Sequence, residues 1–398
     1  MSIFKIVILV CNIIVLIPSL YFGLFFILLF LKKTKDGKFI KKKKHNKFLI
    51  LIAARNEEMV IGHLIDSVNM QKYNRKFYDI CVLPNNCSDK TKEIAKEKKA
   101  IIVDIDFNPK TKGEVLNYAF DYFKNNQEYD AYVIVDADNV LDPLFLKHID
   151  DKLNQGYKIV QGFRDTKNLY ENAITGSYGL FFLLQNLFIY EPRSRINQSI
   201  GINGTGYAIL KSLVDKINYR AKTSTEDIEL TCICALEKEK IGYEKKAIFY
   251  DEQVTNFNIS MIQRKRWIQG SMQVLKLNIK KLIKSRLYFQ AIDEIFALIF
   301  PIDQAIAFLL LLLSYFFIKV PYIILGIIIG YFGEVIVALF LTIYFKKNIK
   351  KMLKAIFFFP IFHLSWIPIY IYSCFNSKNN WEEIKHTKAR NIQEVLND

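Results

Sequence analysis

Hydrophobic and polar positions divide this chain into three zones. Residues 6–31 form one apolar run, broken only by Asn12, Pro18, Ser19 and Gly23. At about 1.5 Å per helical residue such a run can cross a hydrocarbon core of about 30 Å. Three more apolar runs, 295–318, 322–344 and 352–375, occupy the C-terminal third. Between them, from about residue 46 to about 285, the pattern shortens. Residues 48–54, 78–83, 100–103 and 131–135 read as buried strands, with helices expected from near Glu57, over 91–99 and over 112–124. Strands alternating with helices predict βαβ units, a mainly parallel sheet and an α/β domain. Residues 172–190 are apolar and aromatic, but glycine, serine, glutamine and asparagine make them a poor membrane span. Either a helix in the membrane interface or a buried core helix fits them.

The charge adds an orientation. The formal net charge is +16, and the lysines crowd the flanks of the apolar runs. Lys5 alone precedes the first run, whereas Lys32, Lys33, Lys35, Lys38, Lys41 to Lys44 and Lys47 follow it. By the positive-inside rule the N-terminus lies outside and the domain after Lys32 is cytosolic. A cleaved signal peptide has the opposite charge order and a shorter apolar core. The expected division is an anchor at 1–31, a basic linker at 32–46, a cytosolic domain at 47–285, membrane helices at 286–376 and a basic tail at 377–398. Pro360, His363, Trp366 and Pro368 leave open whether the last run crosses or re-enters, and the basic tail leans towards the cytosol. The positive charge suits an anionic membrane surface and a phosphate-bearing ligand. A lysine-rich compositional bias would also produce it. Nucleic acid is not the expected partner, because the lysines form no stripe interleaved with aromatic residues. The six cysteines show no pairing or zinc-binding pattern and are expected to be reduced.

Candidate chemistry gathers where strands end. The four expected strands are followed by Arg55-Asn56-Glu57, Asn85-Asn86, Asp104 and Asp106, and Asp136-Ala137-Asp138, and ligands of such sheets bind at carboxyl ends. Two carboxylates spaced i, i+2 after a buried strand repel unless a cation offsets them, and a divalent ion bridging a diphosphate does so. An acidic turn is the simpler alternative. Thr225-Glu226-Asp227 precedes an apolar helical stretch. Thr225 could cap that helix with the acids favoured by its dipole, or one of the acids could serve as a general base. Gln263, Arg266 and Trp267 share one helix face at i, i+3, i+4 spacing. Trp267 can stack on a sugar ring, Arg266 can pair with phosphate, and Gln263 can bond hydroxyls. Arg264 and Lys265 alongside them equally fit a helix on the membrane surface.

In this order and beside membrane runs, these signatures resemble the membrane-bound family 2 glycosyltransferases, which include cellulose, hyaluronan and poly-N-acetylglucosamine synthases and ceramide glucosyltransferases. The resemblance covers about residues 47–267. It implies a GT-A-type nucleotide-sugar-binding domain. Ala53-Ala-Arg55-Asn-Glu57 is similar to the family's opening motif, with Ala53 in place of proline. Asn85 stands where the family usually has the Asp that contacts uracil. Lys112-Gly-Glu-Val-Leu-Asn117 resembles the motif whose lysine lies near the donor diphosphate. Asp136 and Asp138 match its Asp-X-Asp, implying Mg²⁺ or Mn²⁺ at Asp138 with Asp136 at the ribose or metal. Gly201 to Gly206 is similar to the glycine-rich acceptor-side loop. Asp227 falls on the general base beside Glu226, and Gln263, Arg266 and Trp267 match the Gln-X-X-Arg-Trp motif of the acceptor entrance.

The implied reaction is inverting transfer of a hexose from a nucleotide-sugar, UDP-N-acetylglucosamine or UDP-glucose, by an enzyme integral to the plasma membrane and in contact with its lipids. The expected acceptor is a growing β-linked polysaccharide, for which an export or accessory subunit could supply the conduit. The alternatives are single-sugar transfer to a membrane lipid and a catalytically silent scaffold.

Overall fold

The computed structural model describes residues 45–285, 288–314, 320–376 and 389–397, with scattered positions between Cys11 and Ile27. The expected anchor, apart from those positions, the linker up to residue 44, and tail residues 377–388 lie outside the described residues.

Strand β1 (Phe48–Ala54) is buried along nearly its whole length, and its alternate residues feed two different cores. This is what a central strand covered on both faces requires. The other strands are β2 (Tyr78–Pro84), β3 (Ile101–Ile102), β4 (Ala131–Ile134), β5 (Val140–Leu141), β6 (Ile159–Thr166), β7 (Tyr207–Leu210) and β8 (Ile241–Asp251). All join one sheet in the order β3-β2-β1-β4-β7-β6-β8-β5. The half formed by β3, β2, β1 and β4 is parallel, as the alternation predicts. The other half is mixed: β7 runs antiparallel to β4 and β6, β5 is antiparallel to β8, and only β6 and β8 are parallel. The expectation of a mainly parallel sheet therefore holds for half of it. Gln161, Gly162, Arg164 and Asp165 in β6, and Glu244, Lys245 and Lys246 in β8, break the apolar run by which a buried strand is recognised.

Helices α1 (Ile61–Asn69), α2 (Thr91–Glu97), α3 (Lys112–Tyr122), α4 (Phe145–Leu153), α5 (Ala173–Leu184), α6 (Glu191–Arg195), α7 (Lys211–Ile217) and α8 (Glu226–Leu236) cover the sheet. Phe48, Ile50 and Ile52 pack with α1, α2 and α4, while Leu49 and Leu51 share a core with α3, α5, α7 and α8. The helix expected from near Glu57 begins at Ile61 instead. A turn intervenes, fixed by the Glu57 amide donating to Thr91 Oγ1 at 2.7 Å.

After β8 come α9 (Phe257–Lys284), α10 (Phe289–Ser314), α11 (Val320–Tyr344), α12 (Ile349–Leu364), α13 (Trp366–Phe375) and a short α14 (Ile392–Leu396). Segments 173–195, 289–313, 320–344 and 349–375 are long and apolar enough to cross a membrane. The first is largely occupied by the protein itself: 61% of its apolar window is buried, against 11% for Val320–Tyr344. Of the two readings of residues 172–190, the structure selects the buried helix, capped by Asn172 and packed against β6 and α12.

The last apolar run breaks at Ser365, three residues before Pro368, which has no N–H to give. Both flanks of the broken helix are held by the domain that carries the sheet. Lys347 Nζ pairs with Asp165 at 2.7 Å, the Asn348 amide donates to Tyr170 Oη at 3.0 Å, and Gln269 of α9 donates to Asn376 O at 2.8 Å. The tail docks on the same domain. Arg390 donates to Lys167 O at 2.9 Å, and Ile392 and Val395 pack with Val140 and Tyr250. The described tail residues therefore pack on the domain that carries the sheet, at its β5–β8 edge.

Candidate active site

The carboxyl ends of β1, β2 and β4 open into a cavity of about 1700 Å³ that continues to α10–α13. Ala53, Arg55, Glu57, Asn85, Lys112, Asp136, Asp138, Glu226, Asp227, Gln263, Arg266 and Trp267 all line it. Residues up to 214 positions apart in the chain are thus brought to one space. Asp104 and Asp106 are not among its lining residues: β3 is a two-residue edge strand, and Asp104 pairs with Lys92 at 2.6 Å.

Lys112 opens α3, whose N-cap Thr111 accepts from the Glu114 amide at 3.2 Å. Its ammonium donates to Asp136 and, at 2.7 Å, to Gly204 O, and lies 3.7 Å from Glu226 Oε1. Gly204, with φ +75°, sits against Asp227, so a Cβ there would meet Asp227 Oδ2 at 3.3 Å. Lys112 and the Glu226-Asp227 pair therefore face each other across one backbone unit. Burial pushes Glu226 up to about 7, against the pull of Lys112 and with help from Asp227. Burial also raises Asp227 above the ordinary aspartate value, although the Ile228 amide and Lys112 oppose it.

Thr225 does not cap α8, which corrects one of the two readings of its motif. Its side chain makes no capping bond and its Oγ1 is buried without a partner, while Glu229 accepts the Lys222 and Thr223 amides, each at 2.8 Å. Thr225 is a packing residue. Gly270 of α9 passes so closely that a Cβ would lie 2.2 Å from Thr225 Cγ2. Gly270→Ala is therefore expected to push α9 off the motif, costing about 1–3 kcal/mol and most of the turnover. Thermal unfolding in detergent and a turnover assay check this, and wild-type values in both would refute it.

On α9, Gln263 Oε1 accepts from Tyr178 Oη at 3.1 Å, and Trp267 meets Tyr178 edge-on at 6.2 Å. Arg266 lies among Glu226, Asp136 and Asp227 and makes no ion pair among the described residues. Arg264 is not a membrane-surface cation. It is wholly buried, donates to Phe362 O at 3.2 Å and Ser365 Oγ at 2.8 Å, and so satisfies carbonyl and hydroxyl groups at the break in the last helix.

Asn85, which lines the cavity beside Ala54 and Arg55, accepts at Oδ1 from the Asn86 side-chain amide at 2.9 Å. Asp138 Oδ1 accepts from Asn139 at 3.0 Å, and Asn139 bridges to Asp251 at 2.7 Å. Among the described residues no three His, Cys, Asp or Glu side chains converge as a closed metal cage. The available donors are hard carboxylate oxygens, and Asp136 is already engaged by Lys112. That set fits Mg²⁺ or Mn²⁺, which take few protein carboxylates and complete their shell with phosphate oxygens and water. Sequence reasoning missed Lys167 and Arg164. Lys167 donates to Asp138 O at 2.7 Å, and Arg164 bonds Asp251 at 3.0 Å while lying 3.8 Å from the Phe182 ring centroid. Both sit in β6 or just after it, where no motif marks them.

A mixed sheet of this topology with these polar groups at its carboxyl edge defines a glycosyltransferase of the GT-A fold. The family model for glycosyltransferase like family 2 matches residues 45–270, more than half of the chain, and the chain belongs to that family. It is 26% identical over 235 residues to the beta-monoglucosyldiacylglycerol synthase of Trichormus variabilis, covering 56% of this chain and 48% of that protein. It is 25% identical over 282 residues to the poly-beta-1,6-N-acetyl-D-glucosamine synthase of Staphylococcus epidermidis, covering 65% and 66% respectively. The chain thus spans between about half and two thirds of the length of these curated relatives. In three dimensions it is similar to a mannosyltransferase of Pyrobaculum calidifontis solved with GDP-mannose and Mn²⁺, with TM-score 0.58 and 12% identity over 91% of this chain and 97% of that one. That likeness shows the fold.

Proposed function

We propose that the protein transfers a hexose, with inversion, from UDP-N-acetylglucosamine or UDP-glucose to an acceptor hydroxyl at the membrane. The observation that carries this reading is the single cavity in which the Lys112–Asp136 pair faces the buried Glu226-Asp227 pair across Gly204.

Asp227 takes the proton from the acceptor hydroxyl as that oxygen attacks the anomeric carbon from the face opposite the diphosphate. The bond from the anomeric carbon to the diphosphate oxygen breaks, and the nucleoside diphosphate leaves with the electron pair. Lys112 and Arg266 offset the charge that grows on the departing oxygen. Asn85 contacts the base, with Ala53, Arg55 and Glu57 beside it. Gln263 and Trp267 orient the acceptor. Asp138, assisted by Asp136, would hold the divalent ion, which supplies further stabilisation of diphosphate charge. A cytosolic catalytic domain is part of this proposal, supported by the lysines that follow the first apolar run and by the need for nucleotide-sugar.

The test is UDP release by detergent-purified protein across a panel of UDP-sugars, with Mg²⁺ or Mn²⁺ and with chelator. Metal-dependent release from one donor is expected; release from none would overturn the reading. Because Asp227 must be ionised to act and its folded pKa is raised, the acid limb of kcat/KM should lie above the ordinary aspartate range. Turnover should fall as pH drops through that raised value. A profile flat down to about pH 5 would remove the base assignment.

A further inference from the structure

The cavity does not end at the reacting groups. Its far arm is walled by α10, which packs against α8, α9 and α13, and by α11, which packs against α5 and α12. Ile327, Ile361 and Leu364 line this arm and are also 63%, 48% and 60% exposed. Its mouth therefore lies on the apolar surface of helices that are long enough to cross a membrane. An aqueous solute would meet an apolar rim there; a lipid would meet its own solvent.

Inside the arm acids outnumber cations. The described lining residues of α10–α13 include three acids, Asp293, Glu294 and Glu334, with His363 and no lysine or arginine. Arg193 of α6 also reaches the arm but pairs with Asp293 at 2.7 Å. Glu294 is 6% exposed, lines the cavity, and makes no hydrogen bond or ion pair among the described residues. Glu334, within the apolar helix α11, is joined to His363 Nδ1 at 2.8 Å. Acids in apolar helices are costly and are retained where they face a cavity and bind something. The cations Lys112 and Arg266 lie at the opposite, diphosphate end.

We propose that this arm is a lateral port and head-group subsite for an electrically neutral lipid bearing a free hydroxyl, with Glu294 and the Glu334–His363 pair receiving that head. The inference rests on the transfer reading above. Carboxylates accept hydrogen bonds from hydroxyls. A lipid phosphate would instead bring charge into a low-dielectric arm whose arginine, Arg193, is already taken up by Asp293, with carboxyl groups for neighbours. The lipid hydroxyl then reaches Asp227, gives up its proton there and forms the new bond to the anomeric carbon as the bond to the diphosphate breaks.

The experiment uses full-length protein in phosphatidylcholine vesicles with a labelled UDP-sugar and three arms: added diacylglycerol, added polyprenyl phosphate, and no added acceptor. UDP release and lipid-linked label are both measured. The expected result is labelled lipid with diacylglycerol and little with polyprenyl phosphate. Glu294→Gln should raise the acceptor KM about tenfold more than the donor KM, a loss of the size of one charged hydrogen bond. Ile327→Trp, at an exposed position that can change without unfolding the core, should lower the rate with diacylglycerol by narrowing the mouth. UDP release with polymer or with label on polyprenyl phosphate only would overturn the port while leaving the transfer reading intact. Wild-type acceptor kinetics in both variants would also overturn it. Release from no donor in any arm would overturn the transfer reading and the port together.

Discussion

Asp227→Asn is expected to reduce transfer about 10²–10⁴-fold while leaving donor binding close to that of the wild type. The substitution keeps shape and polarity, so the contact with Gly204 and the first turn of α8 persist. What it removes is the only property a base needs, a lone pair basic enough to take a proton at working pH. Burial raises Asp227 above its ordinary value, which makes it a stronger base than an exposed aspartate. Glu226→Gln is the paired control. Glu226 lies 3.7 Å from the Lys112 ammonium, so its loss should disturb Lys112 and donor affinity more than proton removal. Single-turnover rates and UDP binding, measured for both variants, separate the roles. Turnover of Asp227→Asn within tenfold of wild type would exclude Asp227 as the base; an inactive Glu226→Gln with wild-type UDP affinity would transfer that role to its neighbour.

Asp138→Ala is expected to abolish the metal-dependent part of UDP affinity, a loss of at least about 100-fold. The backbone that carries this carboxylate does not depend on it. Lys167 holds the Asp138 carbonyl, and Asn139 reaches Asp251. The variant should therefore keep its fold and its metal-independent UDP binding through Asn85 and Lys112. Calorimetric titration of UDP with Mg²⁺, with Mn²⁺ and with chelator reads this directly. Equal affinities in all three conditions for wild type and variant would rule out the metal role of Asp138. An equal loss in chelator would show that the substitution damages the donor pocket rather than the ion.

The particular elements show where sequence was sufficient. β1 is legible because a strand buried on both faces must be apolar throughout, and its seven-residue run admits few alternatives; β2 departs from that only at Asp79. The motifs at their ends are legible because close chemical work demands particular side chains at fixed spacings, so Asp136 and Asp138, Glu226 and Asp227, and Gln263, Arg266 and Trp267 all reach the cavity they share. β6 and β8 were not legible, since their polar residues are answered by distant partners: Arg164 by Asp251, and Asp165 by Lys347. The cap reading of Thr225 and the surface reading of Arg264, each one of two that the sequence leaves open, fail for the same reason. A threonine before a helix looks like a cap until Gly270 packs against it, and an arginine beside a lysine looks solvated until a broken helix 98 residues on supplies its acceptors.

The sequence by itself determined the domain between apolar runs, the parallel half of the sheet, the order of the motifs and the family, because each of these is written in local periodicity or in residues a few positions apart. Only the tertiary structure decided that residues 173–195 are core, that the described tail residues dock beside the sheet, and that the cavity runs on past Asp227 to Glu294 and Glu334. Apolar residues are equally at home in a protein core and in lipid, and an acid within an apolar helix carries no local mark of what it faces. The choice is made by which surfaces meet when the helices pack, and that is settled by contacts between residues far apart in the chain.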